Sequence, residues 1–126
     1  MDIDDDLVRV LAELAFIAGG YGLVAQSDAI AAGLEVIRPD SERPHLVRAI
    51  TRLNLNDAAS AEHILREQAL RANPNSSMAK AFLGVALHMQ GRINERDRML
   101  TTVTVADDDD DAVKIAQELL GSPAPA

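Results

Sequence analysis

Apolar residues recur along this chain at steps of three and four, and the steps are interrupted at regular intervals. Leu7, Val10, Leu11, Leu14 and Ile17 trace one face of a helix that the pattern places from about Asp6 to Ala18. Asp4, Asp5 and Asp6 stand at its positive end, where the helix dipole favours carboxylates, and Gly19-Gly20 end it. The same spacing predicts a second helix from about Tyr21 to Ile37. A third carries "HLVRAITRL" to about Leu55, with Pro44 tolerated in its first turn. A fourth runs from about Ala58 to Ala72 and a fifth from about Ser77 to Gln90, closed by Gly91. A sixth covers "INERDRMLTTV", with a weaker, Thr-rich end, and a seventh starts in the aspartate run and ends at Gly121. No segment alternates strictly between apolar and polar. "TTVTV" has strand propensity but is short and has no pairing partner. The expected fold class is all-α.

The interruptions are themselves periodic. "IRPDS" and "RANPNSS" place Pro39 and Pro74 35 positions apart, each followed by Asp or Asn and then Ser. Proline cannot continue a helix, and Asn, Asp and Ser cap the start of one. Between these joints lie lesser turns at Gly20-Tyr21, Asn56-Asp57 and Gly91-Arg92, spaced 36 and 35 apart. Paired helices with a period in the mid-thirties form the tetratricopeptide arrangement. The expectation is therefore tetratricopeptide-like stacked helical hairpins, about three degenerate repeats plus a C-terminal helix. Residues 1–121 make a single domain and residues 122–126, "SPAPA", a flexible tail. Repeats of that kind place a small residue five positions after the inner turn. Ala25 and Ala61 fit, and Arg96 departs. The Leu-Gly of the first helix occurs once, as Leu83-Gly84, and tryptophan is absent.

Stacked hairpins curve, and the first helix of each pair lines the concave side. That face would be built from Leu7, Val10, Leu14 and Ile17, then Leu46, Ile50 and Leu53, then Met78, Ala81, Val85, His88 and Met89. It is almost wholly apolar. A groove gripping a charged peptide terminus would carry Lys and Arg. An apolar face with adaptable methionines suits an amphipathic helix or other hydrophobic segment. In a tightly folded stack the same residues would serve as core.

Composition narrows the function further. The 126 residues carry a net charge of −8, with a pI near 4.7. This argues against nucleic acid, whose phosphates demand basic residues, and against an anionic membrane surface. No apolar run approaches the ~20 residues of a spanning helix, so no membrane insertion is expected. The acidic start "MDIDDDL" is unlike a secretory signal. Without cysteine there is no disulfide, thiolate nucleophile or Cys-held metal, and a cytoplasmic protein is compatible. Aromatic residues are only 2 %, too few for a base-stacking surface.

Candidate chemistry is sparse. Asp107, Asp109, Asp111 and Glu118 fall at calcium-loop positions one, three, five and twelve. Position six, however, is Ala112 where the loop turn needs Gly, and "VKIAQELL" has helical spacing, so an acidic helix cap is the reading taken. His45, His63 and His88 lack a second ligand at metal spacing. Ser60, Ser76 and Ser77 stand where capping explains them, and "AGGYG" lacks the lysine and preceding strand of a phosphate loop. No enzyme activity, cofactor or metal is expected.

With these features in order, "LAELAFIAGGYGLVAQSDAIAAGLEVIRP", "RAITRLNLNDAASAEHIL" and "AKAFLGVALHMQGR" resemble the small tetratricopeptide-like chaperones of bacterial type III secretion. These comprise the needle-subunit co-chaperones and the related Hrp-type accessory proteins. The resemblance spans most of residues 7–105. It implies a cytoplasmic chaperone that cradles a needle or other apparatus or secreted subunit and prevents premature assembly, in one branch together with a second, smaller chaperone. Two other functions compete. A general adaptor of the same fold would show polar groove residues, and a self-associating structural repeat protein would expose an apolar terminal repeat.

Overall fold

The computed structural model describes residues 7, 10, 11, 13, 14, 17, 18 and 21–125. The predicted break at Gly19-Gly20 and the aspartates at 4–6 lie outside these residues. Among the described residues every regular element is helical. A leading helical stretch contains Leu7, Val10, Leu11, Glu13, Leu14, Ile17 and Ala18. It is followed by α1 (Val24–Ile37) and α2 (Arg43–Asn54). Then come α3 (Ala58–Ile64), a π-helical turn (Leu65–Ala69) and α4 (Leu70–Ala72), which form one continuous rod. Last are α5 (Ser77–Met89), α6 (Ile93–Ala106) and α7 (Asp110–Leu119).

The turns within the pairs are built alike. Leu23 N–H donates to Ala18 O, Asp57 N–H to Arg52 O and Arg92 N–H to Leu87 O, at 2.8–2.9 Å. Each bond spans five residues and closes a Schellman-type helix end. The residue just before each donor, Gly22, Asn56 or Gly91, has positive φ (77°, 60° and 72°). Glycine takes that conformation without a Cβ clash, and asparagine tolerates it better than most. The true inner-turn markers thus lie 34 and 35 residues apart. The first is Gly22, two places beyond the Gly20-Tyr21 expected from sequence. Counting five on gives Ser27, Ala61 and Arg96, all with no exposed surface. Ala25 is exposed, so Ser27 and not Ala25 occupies the close-packed position of the first pair.

The joints between pairs also repeat. Ser41 N–H donates to Arg38 O and Ser76 N–H to Asn73 O, both at 3.1 Å. Each turn encloses Pro39-Asp40 or Pro74-Asn75, where proline pre-sets φ. Ser76 then caps α5 by accepting from Ala79 N–H, and Asp57 caps α3 by accepting from Ser60 N–H.

Packing runs from neighbour to neighbour: α1 on α2, α2 on α3 and the π turn, these on α5, and α5 on both α6 and α7. One core joins Ala49, Ala61, Leu65, Ala69, Leu83 and Leu87. A second holds Ala31, Leu34 and Val47 against Leu11, and a third Leu100, Val103, Ala112 and Ala116. Alanine is frequent because small side chains let helix axes approach closely. Each fully buried leucine adds about 1.5–3 kcal/mol. Between α1 and α2 a polar pair is satisfied internally. Thr51 donates to Val47 O, which leaves Ser27 Oγ to donate to Thr51 Oγ1 at 2.9 Å. "TTVTV" is helical, with Val103 buried in the third cluster and the hydroxyls of Thr101, Thr102 and Thr104 satisfied on carbonyls three or four residues earlier.

Candidate partner-binding groove

Three helices meet around one apolar groove of about 360 Å³. α2 contributes Ile50, Leu53 and Asn54, α5 contributes Phe82 and Val85, and α7 contributes Ile115, Glu118 and Leu119. Each set follows helical spacing, so each helix turns one strip to the groove and another to the core. On α5 the core strip is Ala79, Leu83, Ala86 and Leu87, all fully buried.

The position of α7 decides whether this groove exists. Asp109 caps its first turn by accepting from Ala112 N–H at 3.1 Å, and Ser77 Oγ donates to Asp108 at 2.5 Å. Ala112 and Ala116 are buried between α5 and α6. Beyond its other end the Arg96 guanidinium, 0 % exposed, donates to Ser122 O at 2.7 Å, to His88 Nδ1 at 2.8 Å and to Asp97 at 2.9 Å. Arginine has no acceptor, so His88 Nδ1 must accept. Ser122, read from sequence as part of a loose tail, is held by this contact. Its own hydroxyl donates to Glu118 O.

The sequence-predicted face divides into four groups. Ile50, Leu53 and Val85 come together in the groove. Leu46 and Ala81 do not: Leu46 is buried in the main core and Ala81 lies fully buried in the cluster that packs α7. Both are withdrawn from the surface because the stack is tight and α7 covers that part of α5. Met78 and Met89 are partly buried against the core, and His88 is engaged by Arg96. Leu7, Val10, Leu14 and Ile17 are 45–57 % exposed and form a separate apolar stripe on the leading helical stretch. Phe82, Asn54, Ile115, Glu118 and Leu119 were missed. Phe82 stands three before Val85, and Ile115 and Leu119 are four apart, so the signal was present once α7 is treated as a wall and not only as a cap.

Polar groups elsewhere serve the joints between pairs. Arg52 pairs with Asp28 at 2.9 Å, and Arg48 with Glu35, linking α1 to α2. Glu62, its side chain 14 % exposed, accepts from Arg66, Gln90 and Arg92. Burial pushes its carboxyl up, but these three donors outweigh it and hold it below the ordinary glutamate range. Asp57 and Asp97 are likewise lowered, by Ser60 and by Arg96 respectively. His45 Nδ1 is 3.2 Å from Gln68 Oε1. Among the described residues no group of three or more His, Asp or Glu is placed to hold a metal ion. None of the described helices is long and apolar enough to cross a membrane.

Over residues 1–124 the chain matches a family model described as bacterial type III secretion protein (HrpB1_HrpK). A search of curated proteins returned no match.

Proposed function

The chain belongs to this family of bacterial type III secretion proteins, and from that premise we propose that it is a chaperone for a subunit of the secretion system. It holds a hydrophobic helical segment of a needle-like, other apparatus or secreted subunit in the α2–α5–α7 groove and keeps that segment from assembling early. The observation that carries the reading is the groove lining: Ile50, Leu53, Phe82, Val85, Ile115 and Leu119 make it predominantly apolar, with Asn54 and Glu118 its two polar residues. Such a face is complementary to the apolar strip of an amphipathic helix. The function requires no reaction, cofactor or metal. A chaperone acting before export works in the cytoplasm, and recovery of the chain from the periplasm would overturn that part.

Titration of the purified chain with the needle-type subunit of its own system tests the reading. Val85→Asp should weaken binding tenfold or more, because a carboxylate is stranded against apolar atoms and about 1.4 kcal/mol is tenfold in affinity. The unfolding midpoint of the free variant separates a lost contact from a damaged core. Binding unchanged by Asp at both Ile50 and Val85, in folded variants, would move the subunit elsewhere.

The stripe of Leu7, Val10, Leu14 and Ile17 favours a second reading, self-association through the leading repeat. Light scattering of the chain alone distinguishes them. A monomer at micromolar concentration removes the second reading, and an assembly broken by Leu14→Glu supports it.

A further inference from the structure

The groove is apolar but not neutral. Of its eight lining residues only Glu118 is ionisable, and it stands exposed on the α7 wall. Among the described residues its carboxylate joins no salt bridge or side-chain hydrogen bond, unlike those of Asp28, Glu35, Glu62 and Glu95. Seven positions earlier on the same helix is Asp111, also exposed and, among the described residues, in no ion pair. Seven residues are almost two turns, so the two carboxylates rise on one side of α7, about 10 Å apart along its axis, with Ile115 between them on the groove side and the exposed Lys114 between them on the outer side. No Lys or Arg lines the groove. The wall that faces an incoming segment is thus apolar in its middle, with the Glu118 carboxylate at its rim, Asp111 just beyond the lining and Lys114 turned outward between them, in a chain of net charge −8.

Resting on the groove reading above, we propose that the occupant is an amphipathic helix of one charge type. It carries an apolar strip flanked by Lys or Arg residues two turns apart that meet Asp111 and Glu118. The apolar strip supplies affinity, and the carboxylate edge supplies register and rejects acidic segments, since like charges across an interface raise its cost. α7 is ten residues long, so its wall matches about three turns of a partner helix.

Two synthetic helical peptides of 15 residues test this, identical in a leucine strip and differing only in Lys or Glu at two flanking positions seven apart. Fluorescence anisotropy against the full chain at low salt should show the Lys peptide binding about three- to tenfold tighter. The gap should shrink in 0.5 M salt, where the screening length is only several ångströms. Glu118→Gln, at an exposed site, should narrow the gap while leaving the circular dichroism spectrum unchanged. Equal binding of both peptides overturns the charge selection and leaves the apolar groove standing. A preference that survives Asp111→Asn with Glu118→Gln overturns it as well, by placing its source elsewhere. Binding of neither peptide overturns the groove reading, and this inference with it.

Discussion

Gly84 shows how much one missing atom decides. It sits on α5 where α6 crosses, and a Cβ built there would come within 2.7 Å of Leu100 Cγ. Leu100 is fully buried and has nowhere to retreat. Gly84→Ala gains about 1 kcal/mol of helix propensity but forces overpacking that costs about 1–3 kcal/mol. The expected outcome is a net loss of up to about 2 kcal/mol, read as a lower urea midpoint with unchanged helicity. A rise in midpoint would mean that the helices separate easily here. Leu83-Gly84 was legible as a repeat feature, whereas Arg96 was legible only as an exception to one. Asp97 is its neighbour in sequence, but its other partners, His88 and the Ser122 carbonyl, are brought to it by the fold from two other parts of the chain.

At the scale of elements, proline, glycine and capping residues marked nearly every boundary, because they act on their own backbone. α2, α3, α5 and α7 begin within about two residues of the places their joints predict. The π turn had no such signal. Leu70 N–H reaches back five residues to Leu65 O, and Leu65 and Ala69 are both buried, so it is set by tertiary packing rather than by local preference. The groove was half legible for the same reason. Ile50, Leu53 and Val85 follow from period alone, while Leu46 and Ala81 required knowing which neighbour covers them. Between hairpins the ion network around Glu62 makes a pH prediction. Its carboxyl titrates lower in the folded chain than in the unfolded one. Its stabilisation is therefore complete above the ordinary glutamate range near 4.5 and is lost as pH falls through the lowered folded value. Glu62→Gln should cost about 1–3 kcal/mol at pH 7 by removing charge-assisted bonds. The difference from the parent should close as the pH falls below that range. A difference constant from pH 7 to pH 3 would show that the charge at Glu62 is not what stabilises the joint.

For the molecule as a whole, helices that touch only near neighbours make stability close to a sum over repeats, and in principle a sum can be extended. The residue at the close-packed position of each pair sets whether it can. Ala61 is small and apolar, and Ser27 is small and finds a partner, Thr51, in the hairpin that follows it. Arg96, buried in the same place, takes one of its acceptors from Ser122, beyond the final helix. A copy of residues 77–106 inserted after Ala106 would leave the inner guanidinium without that carbonyl. An unmet buried donor costs about 1–3 kcal/mol, and more when charged. The lengthened chain should unfold at lower urea than the same insertion carrying Ala at the inner Arg96 copy. The arginine thereby works as a clasp, tying the third hairpin to the helix that follows it and penalising any hairpin slipped between them.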